Sequence, residues 1–147
     1  MRVNLSEALS AVPGLVAKNR ENYAQDLQIS SRGFGARSAF GVRGVRLISD
    51  GIPATMPDGQ GQPSAFNLDM AERIEVLRGP FSAIYGNHSG GVIQLITRDG
   101  QGRPTLESTI SGGSYGSRKV DVNAQGATGS GSGAIGYVLD GSRFETD

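Results

Sequence analysis

The sequence predicts a small mixed α/β sheet followed by a separate run of antiparallel strands. Three observations carry this reading. Over the first hundred residues short apolar strands alternate with short helical segments, the pattern of a mixed sheet. From Thr105 onward apolar and polar residues alternate with a period of two. Between them Asp99-Gly-Gln-Gly-Arg-Pro104 marks a change of character by its turn chemistry. The expected domains are residues 1–100 and 101–147.

The first element is a helix from Asn4 to Ala11. Asn4 is placed to cap it, and Glu7 three residues on completes a capping box. Leu5, Ala8, Leu9 and Val12 form one apolar face at helical spacing, and Pro13-Gly14 stops the helix. Short strands are expected at Val16–Asn19, Leu27–Arg32 and Val45–Ser49. The segment Gly33–Gly44 is rich in glycine and arginine and reads as a loop. Asp50-Gly-Ile-Pro53 is a turn signal. Thr55–Phe66 reads as a second long loop, and a loop of that length in a compact domain is usually functional or disordered. Leu68–Glu72 reads as a helical turn.

The most informative stretch is Arg73-Ile-Glu-Val-Leu-Arg-Gly-Pro80, then Phe81-Ser-Ala-Ile-Tyr-Gly86, then Gly90-Gly-Val-Ile-Gln-Leu-Ile-Thr97. It predicts strand, tight turn, one helical turn, glycine corner, strand. Arg73, Glu75 and Arg78 stand among Ile74, Val76 and Leu77, so charge is woven into a strand that looks buried. A buried charge without a partner costs several kcal/mol. These side chains are therefore expected to meet a partner surface.

Beyond Pro104, Leu106 and Ile110 alternate with Glu107, Thr109 and Ser111, and Val120, Val122 and Ala124 with Lys119, Asp121, Asn123 and Gln125. Ile135, Tyr137 and Leu139 continue the pattern less cleanly. Turns are expected at Tyr115–Ser117 and Thr128–Gly133. Taken alone, these segments fit either strands of a transmembrane β-barrel or a soluble antiparallel meander with one face on a core.

Several functions are excluded or unsupported. The 147 residues carry zero net charge, which gives no global pull toward nucleic acid. Cysteine is absent, so no disulfide framework or thiolate metal site is expected. The 23 glycines are the compositional outlier. No apolar run approaches a spanning helix, and no signal peptide is visible. Gly131-Ser-Gly-Ala-Ile-Gly136 matches G-x-G-x-x-G, but strand-like residues follow it where a dinucleotide site needs a helix; a hairpin turn is expected. Asn4-Leu-Ser6 and Asn87-His-Ser89 fit the glycosylation tripeptide with nothing else in support. His88 is the only histidine, and no nucleophile elbow accompanies it. No metal-ligand spacing is present, no cofactor is implied and no enzyme is expected. Arg32, Arg37, Arg43 and Arg46 cluster around the first loop. They fit either a solvated basic loop or recognition of an oxygen-rich anion, with Phe34, Phe40 and Met56 as apolar walls.

Leu5-Ser-Glu-Ala-Leu9 with Val12-Pro-Gly14, Ser31-Arg-Gly-Phe34, Asp50-Gly-Ile-Pro53, Glu72–Pro80, Tyr85-Gly86 and Gly90-Gly-Val-Ile93 fall in a set order. Together they resemble the plug domain of TonB-dependent outer-membrane receptors, over roughly residues 4–98. The tail, with Gly113-Ser-Tyr-Gly116 and Tyr137-Val-Leu-Asp140, is similar to the first barrel strands of such receptors. The resemblance implies a plug inside a barrel of about 22 strands, in the bacterial outer membrane and surrounded by its lipid. An inner-membrane TonB-type energy transducer would pull on the plug. It implies uptake of an extracellular ligand, most often an iron-siderophore complex, with vitamin B12, sugars and other metal chelates as further cargoes.

Under this resemblance Arg37, Phe40, Arg43, Met56, Asp58 and Gln60 touch ligand from the two long loops. Arg73, Glu75 and Arg78 contact the barrel wall. Arg32, Gly33, Asp50, Gly51, Gly79, Pro80, Tyr85, Gly86, Gly90 and Gly91 are structural motif positions. The resemblance also implies that a signal peptide, a transducer-binding peptide and the start of the plug belong before this stretch, and most of the barrel after it. The chain is thus expected to be a fragment, with residues after Pro104 poorly ordered or aggregating when expressed alone. The competing expectation is a soluble glycine-rich β binding module.

Overall fold

The computed structural model describes residues 5–18, 27–38, 41–63, 66–79, 84–85, 90–129 and 131–146. Asn4, the expected helix cap, lies outside them, as do Phe40, Pro80, Gly86 and His88. The chain divides into two compact units, Arg2–Thr97 and Arg98–Asp147. Among the described residues no helix is long and apolar enough to cross a membrane, which leaves strands unaddressed.

In the first unit the elements are α1 (Leu5–Leu9), β1 (Leu15–Lys18), β2 (Gln28–Ser31), β3 (Val42–Arg43), β4 (Arg46–Ser49), β5 (Ile52–Pro53), β6 (Gln60–Gly61), β7 (Ala71–Leu77) and β8 (Val92–Thr97). A 3₁₀ turn at Leu68–Met70 precedes β7, and Asn67 caps it by accepting from the Asp69 N–H at 3.0 Å. Helix α1 is shorter than expected. Val12 N–H donates to Leu9 at 3.0 Å, Ser10 Oγ donates to Glu7 at 2.9 Å, and the chain turns at Gly14 with φ +75°.

The main sheet has the order β5-β4-β8-β7. Strands β4 and β8 are parallel, with Leu47 opposite Ile93; β5 and β7 flank them antiparallel. Strand β1 pairs with β2, and β3 with β6. Leu47, Ile93 and Leu95 from the two central strands meet Leu5, Leu9, Ile29, Val42 and Val45 in the core. Strand β7 lies at the sheet edge, where Ile74 and Val76 pack on this core while Glu72 and Arg73 are exposed. Alternation sets Arg73 opposite in face to Ile74, and the register shift between Ala71 and Arg73 lets Glu72 be exposed beside it.

The expected turn at Asp50–Pro53 is tighter than the sequence reading. Asp50 and Gly51, with φ +48° and +80°, form a two-residue hairpin loop of the kind that favours Asp-Gly. Ile52 and Pro53 already pair with Ser49 and Ile48 as a strand, and proline is tolerated there because the strand is an edge. Likewise β3 and β6 lie inside segments expected to be loops throughout, and β7 starts at Ala71 rather than Arg73.

Gly91 shows why glycine stands at the corner before β8. Its φ is +116°, and a Cβ there would lie 2.6 Å from the Leu77 carbonyl oxygen. Gly91→Ala is therefore expected to lower the stability of the first unit by about 1–3 kcal/mol. Faster proteolysis of the β7–β8 region in the variant would check this; unchanged protection would show that the corner relaxes freely.

The second unit is an antiparallel meander of β9 (Thr105–Gly112), β10 (Arg118–Thr128) and β11 (Ile135–Glu145), with β10 central. The first turn closes with Gly113 N–H donating to Ser117 at 2.8 Å. The G-x-G-x-x-G stretch is a 3₁₀ turn at Gly131–Gly133 leading directly into β11, without the helix a dinucleotide site requires.

Candidate functional site

The two loops of the first unit are zipped together by β3 and β6, with Val42 opposite Gly61 and Arg43 opposite Gln60. This brings four of the expected ligand-contacting residues into one cluster. Asp58 Oδ1 accepts from the Gln60 N–H at 3.0 Å, and the Met56 N–H donates to the Gln60 carbonyl at 2.8 Å. Arg43 Nη2 lies 3.9 Å from Asp58 Oδ2, with both side chains more than half exposed, a weak pairing that water screens. Met56 is also exposed. The cluster thus presents a cation, a carboxylate, an amide and a thioether to solvent. At its base Thr55 Oγ1 accepts from the Leu47 N–H at 2.8 Å, tying the second loop to the central strand β4.

Arg37 stands apart from this ladder, on the turn after Gly33. Gln28 Nε2 donates to the carbonyls of Ala36 at 2.9 Å and Ser38 at 2.8 Å, so a side chain from β2 pins the backbone on both sides of Arg37. Sequence reasoning missed Gln28, because a strand glutamine whose partners are backbone carbonyls leaves no local signature. The turn itself is built by Arg32 and Gly33, with φ +47° and +87°, between Ser31 and Phe34, which exchange backbone bonds of 3.0 and 2.9 Å.

The charged strand corrects the sequence reading. Arg73, Glu72 and Glu75 are not buried in this unit. Arg73 Nε donates to Glu75 Oε1 at 2.7 Å and Nη1 lies 3.6 Å from Glu72 Oε1, all three side chains being about half exposed. The hydrogen bond to Glu75 raises the already high pKa of the Arg73 guanidinium. Arg78 donates to the Pro13 carbonyl, so it fastens the end of β7 to the turn after α1. The partners these charges need are thus supplied, at least in part, inside the unit.

The remaining motif positions hold the sheet. Asp50 accepts from the Thr97 N–H at 2.8 Å with one carboxylate oxygen and from Thr97 Oγ1 at 2.9 Å with the other. It clasps the end of β8 to the β4–β5 turn. Gly90 N–H donates to Gly44 at 2.8 Å and Arg46 N–H to Gly91 at 2.9 Å. Arg46 also reaches the Tyr85 carbonyl, and Gly79 sits in an exposed turn with φ +93°. Among the described residues no group of three or more His, Cys, Asp or Glu could hold a metal ion.

In the second unit the two faces are inverted relative to a soluble sheet. Leu106, Ile110, Ile135 and Leu139 are 74, 80, 70 and 65 % exposed. On the opposite face Lys119 and Asn123 are buried, and Lys119 Nζ pairs with Asp121 Oδ1 at 2.9 Å.

A family model described as TonB-dependent Receptor Plug Domain matches residues 2–92. Over 142 residues the chain is 32% identical to the vitamin B12 transporter BtuB of Photobacterium profundum, covering 95% of this chain and 22% of that protein. The crystal structure of the siderophore receptor PirA from Acinetobacter baumannii shares the fold, with a TM-score of 0.69 and 24% identity over 99% of this chain and 22% of that one. The chain spans about a fifth of the length of these proteins. They are transport receptors, not enzymes.

Proposed function

Since the chain belongs to the TonB-dependent receptor plug domain family, we propose that its first unit is the gate of an energy-coupled uptake receptor and its second the opening strands of the surrounding barrel. Receptors of this family are bacterial outer-membrane proteins. The observation that carries the reading is the inverted meander, with exposed Leu106, Ile110, Ile135 and Leu139 against buried Lys119 and Asn123. Lipid outside and a polar, hydrated interior favour that arrangement, whereas water outside does not. The unpaired edges of β9 and β11 are then continued by further strands, since an open sheet leaves backbone groups unsatisfied in lipid.

The cargo we propose is a ferric siderophore or a similar anionic metal chelate. The loop cluster supports this: Arg43 and Arg37 offer exposed guanidinium groups, held by β3–β6 pairing and by Gln28, suited to oxygen-rich anions. A second cargo, vitamin B12, is favoured by the likeness to BtuB. The charged strand face of Glu72, Arg73 and Glu75 is proposed to rest on the barrel wall through exchangeable polar and watery contacts. A TonB-type transducer is proposed to shift the gate while those contacts re-form.

Uptake assays on the full-length receptor test the cargo. Arg37→Ala with Arg43→Ala is expected to weaken ferric-siderophore binding by about 10–100-fold, from losing two charge-assisted contacts. Unaltered siderophore uptake in that variant, or cobalamin uptake without siderophore uptake in the unmodified receptor, would overturn the siderophore reading.

A further inference from the structure

We propose that Arg118, Arg143 and Glu145, at one end of the apolar face of the meander, form a binding row for the phosphate of an anionic lipid headgroup; this rests on reading β9–β11 as membrane-spanning. The register sets Arg118 opposite Glu145, and Val120 opposite both Arg143 and Ile110. Alternation therefore puts Arg118, Arg143 and Glu145 on the face of Val120, Val122 and Ile110, not on that of Lys119 and Asp121. The two arginine side chains are 72 and 81 % exposed. An arginine on a lipid-facing surface is costly at the bilayer midplane and nearly free at the interface. Arg118 stands one row beyond Val120 and Ile110, and Arg143 at the β11 end of that last apolar row, so both charges lie at the end of the face, where headgroups are met.

The row is organised for an anion. Glu145 pairs with Arg118 through Oε2 and with Arg143 through Oε1, the latter at 2.5 Å. One carboxylate so gathers two guanidinium groups and leaves the row with a net positive charge. Each guanidinium carries five N–H donors, more than Glu145 engages. A phosphate oxygen shared between the two forks makes charge-assisted hydrogen bonds, and guanidinium is weakly enough hydrated to favour this over water. Tyr115, 87 % exposed in the adjoining turn, is of the type that settles at headgroup level.

The test uses the full-length receptor in detergent. Retention of phosphatidylglycerol and of phosphatidylcholine is read by native mass spectrometry, with inorganic phosphate in a separate arm. Arg118→Gln/Arg143→Gln is expected to lower phosphatidylglycerol retention by about 25–30-fold, for the loss of two positive charges at the membrane surface, with phosphatidylcholine unchanged. Glu145→Gln is expected to raise phosphatidylglycerol retention by about fivefold, for the loss of one negative charge; a merely structural Glu145 would leave or lower it. Equal retention in all variants overturns the headgroup row, and so does inorganic phosphate displacing the lipid completely. If the double variant fails to fold, Glu145→Gln decides alone: a rise supports the row and no rise overturns it. A receptor that shows no heat-dependent shift of a folded barrel in electrophoresis, and stays in the aqueous phase, sinks the membrane-spanning reading itself, a result distinct from the others.

Discussion

Replacing Leu47 by alanine is expected to destabilise the first unit by about 3 kcal/mol, within the range for a fully buried leucine. Leu47 is 0 % exposed in central strand β4, opposite Ile93 of β8. A Cβ at Gly61 would lie 2.8 Å from Leu47 Cδ1, so the leucine occupies the space left by the glycine of β6. Removing its side chain opens a void beneath the β3–β6 ladder, which close-packed neighbours fill only partly. Hydrogen exchange of the β8 amides in the detergent-solubilised receptor should quicken by about two orders of magnitude. Ile52→Ala is the contrast. Ile52 is 70 % exposed on edge strand β5, and a change within about 0.5 kcal/mol is expected. Equal effects at the two sites would refute the packing described for β4.

Val122→Arg is expected to reduce the amount of folded receptor in the outer membrane sharply. Val122 lies in the middle of β10 with Ser108 and Gly141 on either side, on the apolar face and 44 % exposed. Arginine at the midplane of a barrel's lipid face costs about 2–4 kcal/mol. On a water-facing sheet the same change would fall within about 0.5 kcal/mol. The yield of heat-modifiable receptor in isolated membranes separates the two cases. A normal yield would mean that the face with Leu106 and Ile110 meets water.

What could be read from the residues divides along physical lines. The Asp50-Gly51 hairpin was legible because its chemistry is local: two adjacent residues that accept positive φ. The period-two pattern beyond Thr105 was legible because alternation maps directly onto faces. Strands β3 and β6 were not, since each has two residues and exists only through a partner some 18 positions away. The clasp of Asp50 on Thr97 and the reach of Arg78 to Pro13 were likewise invisible, because each joins positions remote in the chain. The charged strand misled for a different reason. Ile74, Val76 and Leu77 looked like a buried run, but β7 lies at an edge, so one face stays wet and Arg73 finds Glu75 two residues on. At the candidate site, Arg43 and Met56 stood out by residue type, while Asp58 and Gln60 came only from the family resemblance; that backbone pairing gathers the four was not foreseeable.

Because β4 and β8 run side by side in the same direction, no local hairpin can seed the centre of the first unit. Arg46 must wait for Val92, 46 positions further on, and closing a loop of that size costs about 3 kcal/mol in chain entropy. A nascent or partly secreted chain ending before Val92 holds only isolated two-stranded ribbons, which are marginal in water. The unit is therefore late to commit during synthesis, and its main sheet has no central pair until its last strand arrives.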